Sequence, residues 1–195
     1  MRLVAAALAA LLADVSSASA CACCSNEGHR NVAAVAFDSG KREEIASLGF
    51  GGSASLFTGE ADVDTIRGIT TPAARYDLAV TRQDARIVFA LRDRHGHSGT
   101  LVVAEPKTLG VFEVDPRHRP DQGRGPRLYK EWTLTAPAAG SGIFRAGLRP
   151  RQTLSLILHG SGNNCTSAMD FTHWTLVMKG PRANYMLFGA LRAAQ

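Results

Sequence analysis

The sequence predicts an all-β fold, an antiparallel β-sandwich with little helix, and a jelly-roll-like arrangement or a barrel is the alternative. Several short segments alternate between apolar and polar residues with a period of two, which is the pattern of a strand with one buried face. The connectors between them are rich in Gly and Pro, as in Gly51-Gly52 and Gly180-Pro181. Such breakers between short strands are typical of antiparallel sandwiches and barrels.

The individual strands follow from this alternation. It is clearest at residues 76–81, 87–92 and 154–159, where Leu154, Leu156 and Leu158 share one face. Further strands are predicted at residues 45–50, 53–58, 100–104, 110–114, 128–135, 171–178 and 184–188. In the strand at 171–178, the same period places His173 on the face of Phe171 and Thr175.

One helix is predicted, over residues 38–48. Asp38 or Ser39 can cap its first turn, and the helix-tolerant run Lys41-Arg42-Glu43-Glu44 follows. Residues 45–50 of this region also fit a strand, so the two predictions overlap there.

The first twenty residues predict export. Arg2 gives a positive start, residues 3–12 contain only Leu, Val and Ala, and Ala18-Ser19-Ala20 forms a small-x-small cleavage site. Together these features predict a secretory signal peptide over residues 1–20 and a periplasmic or secreted protein. The apolar run is shorter than the roughly 20 residues that a membrane-spanning helix needs, and no second run approaches that length.

Cleavage after Ala20 makes Cys21 the first mature residue. A small residue followed by Cys resembles a bacterial lipoprotein signal, which implies an alternative in which a lipid on Cys21 anchors the protein to a membrane. Beyond the signal, we predict a cysteine-rich segment at residues 21–30 and a single β-sandwich domain at residues 31–195.

The basic composition bears on partners. The net charge is +5 and the pI is near 9.3, which favours weak attraction to anionic surfaces. No aromatic–basic motif of a nucleic-acid-binding module is present, so we expect no nucleic-acid partner. The Pro/Gly-rich segment 115–127 is a candidate contact for lipid head groups or polysaccharide, or else a solvated loop, and it carries Arg117, Arg119, Arg124 and Arg127.

The four cysteines are Cys21, Cys23, Cys24 and Cys165. Disulfides form and persist outside the cytoplasm, and four cysteines allow three pairings. A bridge between the neighbours Cys23 and Cys24 is disfavoured by the usual Cα spacing. We therefore predict that one cysteine of the N-terminal cluster forms a disulfide with Cys165, which tethers the N-terminus. The bridge closes a loop of about 140 residues, and the chain-entropy model assigns it a stabilisation of roughly 4–5 kcal/mol.

The alternative for the cysteines is a soft-metal site. Thiolates favour copper(I) or zinc, and zinc accepts four sulfur ligands in a tetrahedron. His159 and His173 flank the segment that contains Cys165 along the chain, so they are the candidate supporting ligands.

His95 and His97 are a weaker pair of metal-ligand candidates. Two residues apart on a strand, they point to the same face, and the pair resembles the His-x-His of cupins, which are metal-binding β-barrels. The resemblance covers residues 95–97 alone, and the next glutamate, Glu105, is farther along than in cupins. We interpret both histidines as part of an exposed hairpin turn.

No catalytic constellation stands out in the sequence, and neither a Gly-x-Ser-x-Gly elbow nor a phosphate-binding P-loop is present. The leading hypothesis is an exported non-enzymatic binding or structural module whose N-terminus is tethered by a disulfide. The alternative is an extracytoplasmic protein that binds copper or zinc through the cysteine cluster.

Overall fold

The strands form one continuous antiparallel sheet. The computed structural model describes residues 30–59, 62–115, 128–150, 152–162 and 167–192. In these ranges the strands are β1 (Arg30–Ala36), β2 (Gly49–Phe50), β3 (Ser53–Phe57), β4 (Arg75–Gln83), β5 (Arg86–Arg92), β6 (Ser98–Ala104), β7 (Thr108–Val114), β8 (Leu128–Pro137), β9 (Ala139–Gly142), β10 (Thr153–Gly162), β11 (Phe171–Lys179) and β12 (Asn184–Arg192).

The hydrogen-bonded order of the described strands is β1-β7-β8-β10-β11-β12-β3-β4-β5-β6-β9, and the short β2 pairs with β12 outside this path. The sheet folds over on itself, because β6 lies against β8 and β10 without pairing with them. The predicted antiparallel, sandwich-like all-β fold is thus confirmed. The barrel alternative is wrong, since the sheet ends at β1 and β9 and does not close.

The core lies between the two layers of this folded sheet. Alternate residues of each strand point inward, as the period of two predicted, and Leu154, Leu156 and Leu158 are fully buried. The rings of Phe89 and Trp174 join the layers with centroids 5.5 Å apart. Burial of such aromatic side chains supplies a large share of the hydrophobic stabilisation of a core.

Most strands begin and end near the predicted residues, but β1 and β9 were not predicted. The sequence of β1 is RNVAAVA and that of β9 is AGSG, so alanine and glycine leave little apolar–polar contrast. The predicted strand at 45–50 is wrong for its first residues, which belong to a helix, and only Gly49–Phe50 pairs as a strand.

The predicted helix is confirmed as α1 (Ser39–Ser47). Asp38 is its N-cap, and its carboxylate accepts a hydrogen bond from the backbone N–H of Lys41 at 2.9 Å. Ile45 and Leu48 pack into the core. Glu44 accepts a hydrogen bond from the backbone N–H of Ala168 at 2.7 Å, so α1 is held against the turn that precedes β11. In the described part of the chain, no helix is both long and apolar enough to cross a membrane.

The N-cap of α1 gives a direct test of this local structure. We expect Asp38→Ala to lower the free energy of unfolding by about 1 kcal/mol, because a backbone N–H of the first turn loses its acceptor. Ser39→Ala, at the next and exposed position, is the matched control and should stay within about 0.5 kcal/mol of the wild type. Urea unfolding followed by circular dichroism measures both, and equal losses in the two variants would contradict the capping role.

Candidate functional site

Several sequence predictions fall on residues that the structure does not describe. They are the signal peptide, the segment 21–29, the four cysteines Cys21, Cys23, Cys24 and Cys165, and the four arginines Arg117, Arg119, Arg124 and Arg127. Described residues border the segments 21–29, 116–127 and 163–166, and they locate where these three segments leave the sandwich.

Three of these segments leave the sheet at one end. Arg30 pairs with Val114, Val114 with Tyr129, and Tyr129 with Ser161, so these four residues form one row across β1, β7, β8 and β10. The cysteine cluster precedes Arg30, the arginine-rich segment joins β7 to β8, and Cys165 follows β10. The ends of β1 and β10 are three strand spacings apart, which is roughly 14 Å.

The structure brings His159 and His173 together. They are directly opposite each other on β10 and β11, and their rings stack with centroids 5.8 Å apart. Both side chains lie on the outer face of the sheet, where His173 is exposed and His159 is half-buried. Thr175 approaches the Nε2 of His159 at 3.4 Å, and Thr172 contacts the Nδ1 of His173 at 2.9 Å.

The two histidines continue a row of rings that starts at the edge of the sheet. Tyr129 lies 6.2 Å from His159 and 6.2 Å from Phe112, between ring centroids. The guanidinium of Arg30 lies over the Phe112 ring, 5.4 Å from its centroid. We call Phe112, Tyr129, His159 and His173 the aromatic–histidine row. It crosses β7, β8, β10 and β11 on the solvent side.

A β-bulge corrects one prediction for this row. His159 pairs with His173 but Gly160 pairs with Phe171, so Thr172 is an extra residue in β11. The bulge breaks the period of two, and Phe171 is buried while His173 is exposed. The prediction that these two residues share a face is therefore wrong, whereas His173 and Thr175 do share the outer face.

The surroundings set the protonation of the row. Burial lowers the pKa of His159. The charge of Glu131, its cross-strand neighbour on β8, raises this pKa, and the charge of His173 lowers it. Tyr129 donates a hydrogen bond to Glu131 at 2.6 Å. Burial, together with this bond and the charge of Glu131, raises the pKa of Tyr129, so its phenol stays protonated as a donor. The lowered pKa of His159 therefore favours its neutral imidazole.

His95 and His97 lie in the turn between β5 and β6, as their interpretation as a hairpin turn requires. Asp93 organises this turn, because one of its oxygens accepts the backbone N–H groups of His95 and His97 at 2.8 and 2.9 Å. Its other oxygen contacts the Nδ1 of His97 at 2.8 Å. Burial raises the pKa of Asp93, but the hydrogen bonds from His97 and His95 outweigh it and the net shift is downward.

A pocket of about 630 Å³ lies beside this turn, between Asp93, Tyr76 and Arg75. The Asp93–His97 contact fixes the imidazole orientation and leaves Nε2 available as a base or a ligand. Among the described residues, the only hydrogen bonds of the His97 side chain and backbone N–H go to Asp93, so the turn provides an oriented imidazole without an adjacent nucleophile.

Buried charges lie on the inner side of the same four strands that carry the row. Lys130, 1% exposed, forms an ion pair with Asp170 at 2.5 Å and approaches the backbone oxygen of Ser167 at 3.5 Å. Glu113 and Asp115 are buried nearby on β7 and directly after it. The chemistry of this end of the sandwich is therefore divided between an inner charged cluster and an outer row of rings.

Most of the residues in the outer row and the inner cluster were not predicted from the sequence as site residues. The outer row could have been found from the sequence, because a period of two in β8 places Tyr129 and Glu131 on one face of the strand and Leu128 and Lys130 on the other. The signal for Asp93 was its spacing of two and four residues from the histidines. The inner charges gave no signal, since a Glu or Lys in a strand is usually exposed.

Comparison with known proteins finds no matching family model, no similar curated protein and no similar solved structure. Within the described ranges, no three residues of the types His, Cys, Asp and Glu are grouped so that they could hold a metal ion. The predicted metal site rests on the cysteines, which are outside these ranges.

The lowered pKa of His159 predicts a pH dependence of stability. The folded state favours neutral His159, so this residue contributes stability that is full above its unfolded pKa of about 6.5 and is lost as the pH falls through the lower folded pKa. We expect His159→Gln to flatten the decrease in the free energy of unfolding between pH 7.5 and 5. Denaturant unfolding across this range measures it, with His95→Gln as the exposed control. An unchanged slope in His159→Gln would contradict the prediction.

Proposed function

We propose that the chain is an exported, non-enzymatic binding module that contacts an anionic polysaccharide through the aromatic–histidine row. The observation that carries this proposal is the continuous set of ring contacts that runs across four strands on the outer face of the sheet. Ring centroids follow one another at 6.2, 6.2 and 5.8 Å. A rigid sheet holds these rings in place, so binding costs little side-chain entropy.

The chemistry of the row suits a sugar chain. Half-buried rings offer apolar contact to the C–H faces of a pyranose, and Tyr and His combine an apolar body with a polar edge. Glu131, Thr133 and Thr175 lie on the same face of β8 and β11 and supply hydrogen-bonding groups for hydroxyls.

The charge around the row favours an anionic polymer over a neutral one. Arg30 stands at one end, over Phe112. In sequence, the segment with Arg117, Arg119, Arg124 and Arg127 lies between β7 and β8, and Phe112 and Tyr129 are within two residues of the strand ends that border it. The net charge of +5 acts in the same direction.

Export and a disulfide tether complete the proposal. Residues 1–20 act as a signal peptide in this proposal, and one cysteine of the N-terminal cluster bonds to Cys165. Cys24 precedes Arg30 by six residues and Cys165 follows Ser161 by four. Ten extended residues reach at most about 33–36 Å, which exceeds the roughly 14 Å between the two strands, so the bridge is sterically accessible. A lipid on Cys21 is the alternative for the first mature residue.

A second candidate function is soft-metal binding by the cysteine cluster. The contact between His159 and His173 favours metal binding, because their rings stack in space. Cys165 lies six residues after His159 and eight before His173 in the sequence. In this alternative the four cysteines bind copper or zinc as thiolates, and the histidines complete or support the site.

The binding proposal is tested by affinity electrophoresis in gels that contain polygalacturonate, with dextran as the neutral control. We expect retardation by polygalacturonate that weakens with salt. Tyr129→Ala should weaken binding by roughly three- to tenfold, since a ring contact is worth about 0.5–1.5 kcal/mol. Phe57→Ala removes an exposed ring of β3 outside the row and should bind like the wild type. Equal losses in both variants, or no retardation, would contradict the proposal.

The tether and the metal alternative are separated by the intact mass of the protein exported from a bacterial host, before and after reduction and alkylation. We expect a chain that starts at Cys21 with four protected cysteines, and Cys165→Ser should expose one alkylatable thiol. Alkylatable thiols together with a metal ion retained under native conditions would support the second candidate. An added diacylglycerol would show that Cys21 is a lipid anchor.

A further inference from the structure

A small pocket lies on the inner side of the sandwich, between the start of α1 and strands β1, β7 and β8. Its volume is about 200 Å³, and it is separate from the outer row. The walls are apolar at Ala33, Val35, Ala36, Val111 and Trp132, and the polar groups are those of Asn31, Asp38, Lys41 and Glu113. This volume suits a ligand smaller than the drug-sized molecules that fill pockets of about 300–1,000 Å³.

Glu113 makes this pocket unusual. The side chain is on the inner face of β7 and the residue is only 6% exposed. Its Oε1 is fully buried and has no hydrogen-bond partner among the described residues. A buried polar atom without a partner is destabilising, and more so when it is charged, so a donor that approaches the Glu113 carboxylate from the pocket would stabilise it.

Among the described residues, two lysines lie beside Glu113 or its pocket, and both have other partners. Lys130 is its direct neighbour on β8, but its ammonium binds Asp170. Lys41, on α1, pairs with Glu44 at 3.4 Å and lies over the Trp132 ring, 4.5 Å from its centroid.

The lining indicates the charge and the type of the ligand. Two carboxylates, those of Asp38 and Glu113, face one ammonium, that of Lys41, so the pocket favours a cation. A calcium or magnesium ion requires about six oxygen ligands, whereas five of the nine residues around this pocket are apolar.

We infer that this pocket binds a compact organic cation, a primary ammonium with a short alkyl chain. The ammonium pairs with the carboxylate of Glu113 at the pocket wall, and the alkyl chain packs against Val35 and Val111. The site is on the opposite face of the sheet from the aromatic–histidine row, so this inference does not depend on the polysaccharide proposal.

The test measures the binding of n-butylammonium chloride at pH 7.5 by isothermal titration calorimetry and by the shift in Tm. We expect saturable binding and a rise in Tm, because a ligand that binds only the folded state stabilises it. The neutral isostere 1-butanol should give neither effect. Glu113→Gln should weaken butylammonium binding about tenfold or more, since hydrogen bonds to a charged group are the strong ones.

Two further variants keep the test decisive. Glu43→Gln removes the same charge from an exposed position of α1 outside the pocket and should bind like the wild type. Ala33→Leu narrows the pocket while Glu113 stays in place, and it should also lose the response even if Glu113→Gln does not fold. The inference is overturned if butylammonium produces no effect on the wild type, if Glu43→Gln and Glu113→Gln respond equally, or if calcium chloride binds in its place.

Discussion

The buried ion pair between Lys130 and Asp170 is the contact on which one end of this sandwich depends. A lysine on the inner face of a strand must be paired, because an unpaired buried charge costs several kcal/mol. Asp170 reaches it because β10 carries Gly160 and Gly162 where Asp170 approaches most closely; an added Cβ at Gly160 would overlap the backbone of Asp170, and one at Gly162 its carboxylate. The bulge at Thr172 then shifts the alternation of β11 by one residue, so that His173 faces outward.

The period of two separates the two chemistries of these strands. On β7 and β8, Glu113 and Lys130 point inward, while Phe112, Tyr129 and Glu131 point outward. Neighbouring residues along one strand thus belong to different environments: the inner one is buried and charged, and the outer one is aromatic and faces solvent. Single substitutions can therefore perturb one face without removing a contact of the other, and this makes the two proposed sites experimentally separable.

The sequence pattern predicted the elements that show a strong local alternation of apolar and polar residues or a capping side chain. Residues 154–159 alternate strongly and form β10, and Asp38 caps α1 as its side-chain chemistry predicts. The strands β1 and β9 were missed because alanine and glycine pair through their backbones without an apolar signal. The orientation of His173 was predicted correctly relative to Thr175 but not relative to Phe171, because the bulge depends on the register with β10, a tertiary property. The contact between His159 and His173 depends on the same register, so the sequence alone could not predict it.

Glu113 interrupts the apolar inner face of β7. Leu109 and Val111 occupy the same face and are buried in the core, so the strand pattern calls for a third apolar residue. An apolar side chain of similar volume would avoid the cost of a buried oxygen without a partner. Lys130 lies directly opposite Glu113 on β8, so both side chains belong to the inner charged cluster. The cationic ligand proposed for the adjacent pocket would supply a further partner for the carboxylate.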